Sequence, residues 1–278
     1  MKYFLPVLLA GALLFAQRAN AFDQKITVPD TLTVQQVHQL DSLENVIKVE
    51  QCCNATLAAC LKKKNPCELA ARLHAFVKWL VARRTESARI TDEASKRYVS
   101  LTSTIKGTVD TTVFTIAGDP KAPVLISGYV SAVCPICHFV THELYDAVTA
   151  GELKGKARLM VKPVGEGFAN KSLAAACIMG RFWDYFVAIS MVKSRIEKET
   201  IYNIADSLKL DVAKFKSLVN GPQADSLVKA SSAEAGMNAV TVTPIYFINR
   251  VRYASYKDPA WLVDAVECIY DEGLKKKK

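Results

Sequence analysis

The sequence predicts a two-part α/β chain: a small all-helical, cysteine-rich N-terminal domain, then an α/β domain interrupted by a helical insertion. Three observations carry this. Val124 to Val130 is a short, mostly apolar run of the kind a buried strand shows. It leads within a few residues into Cys134-Pro135-Ile136-Cys137 and then a face of Cys137, Val140, Leu144 and Val148 at helical spacing. A second strand-like pair, Ile245–Ile248 and Val251–Ala254, returns only after a long helical stretch.

The chain opens on a targeting segment. Lys2 supplies a positive start, Phe4 to Ala16 is apolar, and Ala19-Asn20-Ala21 is a small-x-small cleavage signal. Cleavage after Ala21 is expected. The apolar stretch is too short for a comfortable membrane span. Export implies an oxidising compartment, periplasmic or otherwise exported, in which the mature chain is soluble and its disulfides persist.

Residues 22–108 form the expected N-terminal domain. Val37, Leu40, Leu43 and Ile47 share one helical face, and Leu69, Leu73, Phe76 and Leu80 share another, with Pro66 at a first helical position. A short helix is expected from Thr91 to Tyr98. The boundary falls near residue 108, and residues 109–274 form the α/β domain. Its first strand-like residues are Thr111 to Phe114. Ala157–Val161 reads as a strand, and a helical insertion covers about 168–238. Asn249-Arg250 reads as a tight turn between the last two strands. In the final helix Asp258 is the N-cap, Pro259 takes the first position, and Trp261, Leu262, Ala265 and Ile269 face inward. Residues 275–278 are a basic tail.

The formal charge is +9. Loss of Lys2 and Arg18 leaves +7, and the four-lysine tail accounts for four more. Such a run reads as a solvated tail. No basic stripe interleaved with aromatics is present, which argues against nucleic acid as a partner.

Eight cysteines fall into three groups. Cys52, Cys53, Cys60 and Cys67 are candidates for structural disulfides. Residues seven apart on one straight helix are separated by about 10.5 Å along its axis, beyond the roughly 7 Å between Cα atoms that a disulfide tolerates. Bonds must therefore cross between helices. A bond between the neighbours Cys52 and Cys53 would be strained. Cys60 can meet Cys67 or one of the Cys52/Cys53 pair, and three pairings stay open. A relay centre and a four-sulfur zinc site are the alternatives. Cys177 and Cys268 read as small buried residues, with a bridge between them as the alternative. Cys134 sits at the mouth of a helix, where free N–H groups and the dipole stabilise an anion. A thiolate is the anion disulfide exchange needs. Cys137 falls on the buried face, within reach of a bond made by Cys134.

These pieces together resemble the thioredoxin fold, in particular the exported thiol–disulfide oxidoreductases of DsbA and DsbG type, over roughly residues 111–272. The likeness is carried by Ala122-Pro123-Val124 leading to Cys134-Pro135-Ile136-Cys137-His138, by Gly180-Arg181-Phe182-Trp183, and by Thr243-Pro244-Ile245-Tyr246-Phe247-Ile248-Asn249. It implies a cis-proline loop at Pro244 that lies against the cysteines, with Thr243 pairing to an extended substrate strand. It also implies a protein disulfide oxidoreductase in which Cys134 is the nucleophile and Cys137 resolves the mixed disulfide. No cofactor is implied. The partners implied are substrate proteins with thiols or disulfides and a membrane redox partner, and residues 22–108 are a candidate homodimerisation element. Pro135, Ile136 and His138 would modulate the centre. Ile136 stands where DsbA-like oxidants often carry histidine, so a milder oxidant is expected. Protonated His138 would favour a neighbouring thiolate. The strand before the motif carries no acid to accept the proton of Cys137. Oxidase or isomerase is favoured over reductase. The rival classes are a copper or zinc site at Cys134, Cys137 and His138, and a non-enzymatic binding module. His138 and His142, one turn apart, otherwise read as a solvated pair.

Overall fold

A computed structural model describes residues 31–253 and 258–275. The expected signal segment, Ala254 and Lys276–Lys278 lie outside the described residues. Among the described residues no helix is long and apolar enough to cross a membrane.

The N-terminal region starts with α1 (Val34–Val46), capped by Thr33 and Gln36 in a reciprocal capping box. Leu40, Leu43 and Ile47 are buried, whereas Val37 at the edge of the same face is exposed. A two-residue ribbon, β1 (Lys48–Val49) against β2 (Ala55–Thr56), turns the chain into α2 (Leu57–Leu61). Cys67, not Pro66, governs the next helix: it is the N-cap of α3 (Glu68–Ala82), and Pro66 lies one residue outside. The helix expected over 91–98 is longer, α4 (Ser87–Thr102). Of the three open pairings, the structure takes Cys52 with Cys67 and Cys53 with Cys60, at Cα separations of 6.3 and 5.8 Å. All four sulfurs are thereby committed, which leaves no thiolate set for zinc.

The α/β part contains a five-stranded sheet in the order β3-β5-β4-β6-β7. These strands are β3 (Ala117–Gly118), β4 (Val124–Val130), β5 (Ala157–Pro163), β6 (Ile245–Ile248) and β7 (Val251–Tyr253). The strand expected at 111–114 is absent, and pairing begins at Ala117. Phe114 is instead a core side chain, its ring edge-on to Phe182 at 6.0 Å. The pair β4/β5 is parallel, and every other neighbour is antiparallel. All seven residues of central β4 are buried, as a strand covered on both faces requires. The parallel crossover is supplied by α5 (Pro135–Thr149). Five helices fill the insertion: α6 (Phe168–Ile178), α7 (Phe182–Ser190), α8 (Lys198–Ser207), α9 (Val212–Asn220) and α10 (Pro222–Met237). Asn249 and Arg250 both have positive φ, the backbone a two-residue hairpin turn needs. The last helix, α11 (Pro259–Lys275), is capped as expected, with the Asp258 carboxylate accepting from Ala260 N–H at 3.0 Å.

The two regions share packing. Trp261 of α11 inserts into the N-terminal core, edge-on to Phe76 and Trp79 at 5.3 and 6.1 Å. Arg97 of α4 is fully buried. Its guanidinium stacks over Phe76 at 4.5 Å, pairs with Asp264 of α11, and donates to the Trp261 carbonyl at 3.2 Å and the Tyr253 hydroxyl at 3.4 Å.

Candidate active site

β4 ends at Val130, and Ser131–Val133 carry the chain to Cys134, the N-cap of α5. This connection is pinned at Ala132 from both sides. The Asn170 side-chain carbonyl accepts from Ala132 N–H at 2.7 Å, and the Ala132 carbonyl accepts from His138 Nε2 at 2.7 Å. Asn170 also donates to the carbonyls of Val164 and Gly165, so the start of the insertion holds the loop before the motif. No spacing rule marks Asn170 in the sequence.

The pinned loop aims Cys134 at the helix mouth, where its sulfur accepts the Cys137 N–H at 3.2 Å. Across the cleft the Thr243 carbonyl lies 3.7 Å from the same sulfur. The Thr243–Pro244 peptide is cis. Cys134 is half-exposed and Cys137 fully buried. Burial, reinforced by the neighbouring Cys134, pushes the Cys137 thiol up to about 12. The Thr243 hydroxyl and the Ser131 backbone act in the opposite direction. Thr243 therefore bears on both cysteines, its carbonyl beside the outer sulfur and its side chain lowering the pKa of the inner thiol. Val133, Ile136, Phe139 and Val242 are exposed apolar residues of the motif and of the loop before Pro244. A groove of about 1090 Å³ runs beside α5, lined by Val133, Pro135, Phe139, Glu143, Met191 and Ile196 among others.

Several expectations change here. His138 is not solvated: it is buried, and burial lowers its pKa. Its ring is committed to the Ala132 carbonyl, so it acts as a neutral pin and not as a cation beside a thiol. His142 meets Ser190 at 3.1 Å. Among the described residues no three His, Cys, Asp or Glu side chains converge on a metal-holding position. Cys177 and Cys268 do not form the alternative bridge. Cys177 donates to the Val113 carbonyl at 3.5 Å, while Cys268, on α11, lies near Arg72 of α3.

Two buried polar groups escaped the sequence reading. Tyr246, two residues beyond Pro244, is sealed under α5 with its hydroxyl 2.7 Å from Thr141 Oγ1. Gly128, directly across the ladder, leaves room for its ring: a Cβ there would lie 2.6 Å from Tyr246. On the opposite face of β4, Lys162 and Glu234 form a buried ion pair at 2.6 Å, joined by the Tyr129 hydroxyl. These members lie far apart in sequence, so no local pattern announces them.

Residues 109–267 match the family model described as Thioredoxin. The chain belongs to the thioredoxin family. No curated protein sequence matches it. Among solved structures, the thioredoxin-like domain is similar to a thioredoxin-like oxidoreductase from Silicibacter pomeroyi DSS-3. That match has 19% identity and a TM-score of 0.51, and covers 58% of this chain and 94% of that one. The thiol–disulfide exchange protein alpha-DsbA2 from Wolbachia pipientis matches with 15% identity and a TM-score of 0.50, over 64% and 94% of the two chains. Oxidised BdbD from Bacillus subtilis matches with 17% identity and a TM-score of 0.51, over 60% and 98%. The family match and these neighbours agree on a mixed α/β thioredoxin-like domain, which in this chain follows a helical N-terminal region.

Proposed function

We propose that this protein is an exported thiol–disulfide oxidoreductase that exchanges disulfides with substrate proteins through Cys134 and Cys137. The observation that carries the reading is the asymmetry of the pair. One sulfur is accessible and sits at a helix N-terminus, and the other is sealed one turn further in. In the oxidised centre a substrate thiolate attacks Cys134 Sγ, the Cys134–Cys137 bond breaks, and the electron pair leaves on Cys137, which takes up a proton. A second substrate thiolate then attacks the substrate sulfur of the mixed disulfide and expels Cys134 as a thiolate, held by the helix N-terminus. In the reverse direction Cys137 attacks the mixed disulfide and frees the substrate.

Thr243 and Pro244 form the edge against which an extended substrate segment pairs. The exposed side chains of Val133, Ile136, Phe139 and Val242 favour apolar substrate segments. Oxidase or isomerase is the favoured direction. A membrane redox partner would then reset the centre from the exported side. A homodimer through the N-terminal region would have to use surface other than the face that Trp261 already covers.

The decisive experiment compares Cys134→Ser with Cys137→Ser on a reduced, unfolded protein substrate in a buffer containing oxidised glutathione, which supplies the oxidising equivalents. Loss of turnover in the first and accumulation of mixed disulfides in the second are expected. Full activity of the Cys134→Ser protein would sink the reading. The equilibrium potential of the pair against glutathione then fixes direction: a value of roughly −120 to −180 mV marks an oxidase or isomerase, and about −270 mV a reductase.

A further inference from the structure

The two N-terminal disulfides differ in the properties that separate inert from reactive cysteines. Cys53–Cys60 is internal: Cys60 is buried in the N-terminal core, and Cys53 is half-buried against it. Cys52–Cys67 lies further out: Cys52 is exposed, while Cys67 is half-buried against the same core, as Cys53 is. Cys67 also repeats the placement of Cys134. Each is the N-cap of a fifteen-residue helix. Each sulfur accepts a backbone N–H three residues on, Cys67 from Ala70 at 3.4 Å and Cys134 from Cys137 at 3.2 Å. Lys62, Lys63 and Lys64 are exposed in the segment that leads to Cys67, and Lys63 Nζ lies 3.5 Å from the carbonyl of Cys53, the neighbour of Cys52 in sequence. The carboxylate at the helix start, Glu68, is paired with Arg72 at 3.1 Å. Partial exposure in an electropositive setting is the environment of an exchanging cysteine, whereas a buried apolar setting is that of a structural one.

We propose that Cys52–Cys67 is a second exchange-competent disulfide, reduced by a protein dithiol independently of the Cys134–Cys137 centre, while Cys53–Cys60 is structural. A partner thiolate attacks the exposed Cys52 Sγ. The Cys52–Cys67 bond breaks and its electron pair leaves on Cys67, where the helix N-terminus and the Ala70 N–H receive the charge. The partner's second thiol, deprotonated, attacks its own sulfur in the mixed disulfide and expels Cys52. The partner dithiol is thereby oxidised to a disulfide, and its two protons are returned to Cys52 and Cys67. The adjacent inner bond has a role in this cycle. With Cys53 tied to Cys60, Cys52 stays near Cys67 when the outer bond opens, so reclosure remains an intramolecular step.

The test uses the mature chain carrying Cys134→Ser and Cys137→Ser, so that its outcome is independent of the main centre. The protein is equilibrated in glutathione buffers of graded ratio, acid-quenched, alkylated and mapped by mass spectrometry, with far-UV circular dichroism on each sample. The expected result is joint labelling of Cys52 and Cys67 at a glutathione ratio about 10-fold less reducing than the one that opens Cys53 and Cys60, with the helical signal intact. Once opened, Cys67 is expected to alkylate at pH 6 about 10-fold faster than Cys52. Opening of both bonds at one ratio, or opening of the outer bond only with loss of the helical signal, would overturn the proposal. Equal alkylation rates would overturn the assignment of Cys67 as the leaving thiolate.

Discussion

At the scale of single residues, the site is a set of environments imposed on ordinary groups. Cys134 and Cys137 are chemically identical and three positions apart, yet one meets solvent and the other is sealed. Burial keeps the Cys137 thiol protonated at neutral pH, and the Thr243 hydroxyl is the side chain that offsets this. Glu143, two turns into α5 on the wall of the groove, shows the same physics with a carboxyl. Burial first, then the nearby charges of Asp146 and Glu152, raise it from 4.5 to about 7. Between those two values the folded protein holds a proton that the unfolded chain has released. Stability therefore falls as pH rises through this window. Glu143→Gln removes that loss, so its stability relative to the parent is expected to increase from pH 5 to pH 8. Urea unfolding at the two pH values measures it, and an unchanged difference would show that the carboxyl is not held in its protonated form.

At the scale of elements, the sheet and α5 are matched through one large side chain. Tyr246 on β6 lies between Gly128 of β4 and Thr141 of α5, and its hydroxyl bond to Thr141 satisfies both buried groups. Gly128→Ala puts a methyl group where the ring stands, and neither strand can move without breaking its ladder. A loss of about 1–3 kcal/mol is expected in urea unfolding, the usual cost of overpacking a filled core. The elements that the sequence made legible are those with local signals. They include the Asp258-Pro259 start of α11, the Asn249-Arg250 turn and the mostly apolar β4. The strand expected at 111–114 failed because β-branched and aromatic residues also serve as isolated core contacts, as Phe114 does against Phe182.

At the scale of the whole molecule, the chain's two ends share one core. Arg97 is the fully buried charge at that junction, joining α4 to α11 and to β7 through Tyr253. Arg97→Ala leaves Asp264 without its cation and opens a space over Phe76. A destabilisation of about 3–5 kcal/mol is expected, the range for breaking a buried pair from one side. Because Trp79 and Trp261 report on this junction, tryptophan fluorescence should follow the same single transition as circular dichroism in the parent protein. Two separated transitions in the parent would show that the shared core does not couple the regions.

The sequence by itself determined what neighbouring residues decide. It placed the Cys134–Cys137 motif between a strand and a helix, marked Thr243-Pro244 as the facing loop, and set the helical character of the insertion. The motif's place and the helical insertion rest on spacing, capping or backbone preference within a few positions, and the facing loop rests on the resemblance to the thioredoxin fold. Only the tertiary structure decided which of the four N-terminal cysteines bond, because that depends on how α2 and α3 fold back on the ribbon. It also decided that His138 is a buried pin, that Cys177 and Cys268 stay apart, and that Asn170, Tyr246, Lys162 and Glu234 form the polar framework around β4. Those groups come from segments tens of residues apart. A buried polar group must find a partner wherever packing brings one, and spacing along the chain carries no record of that choice.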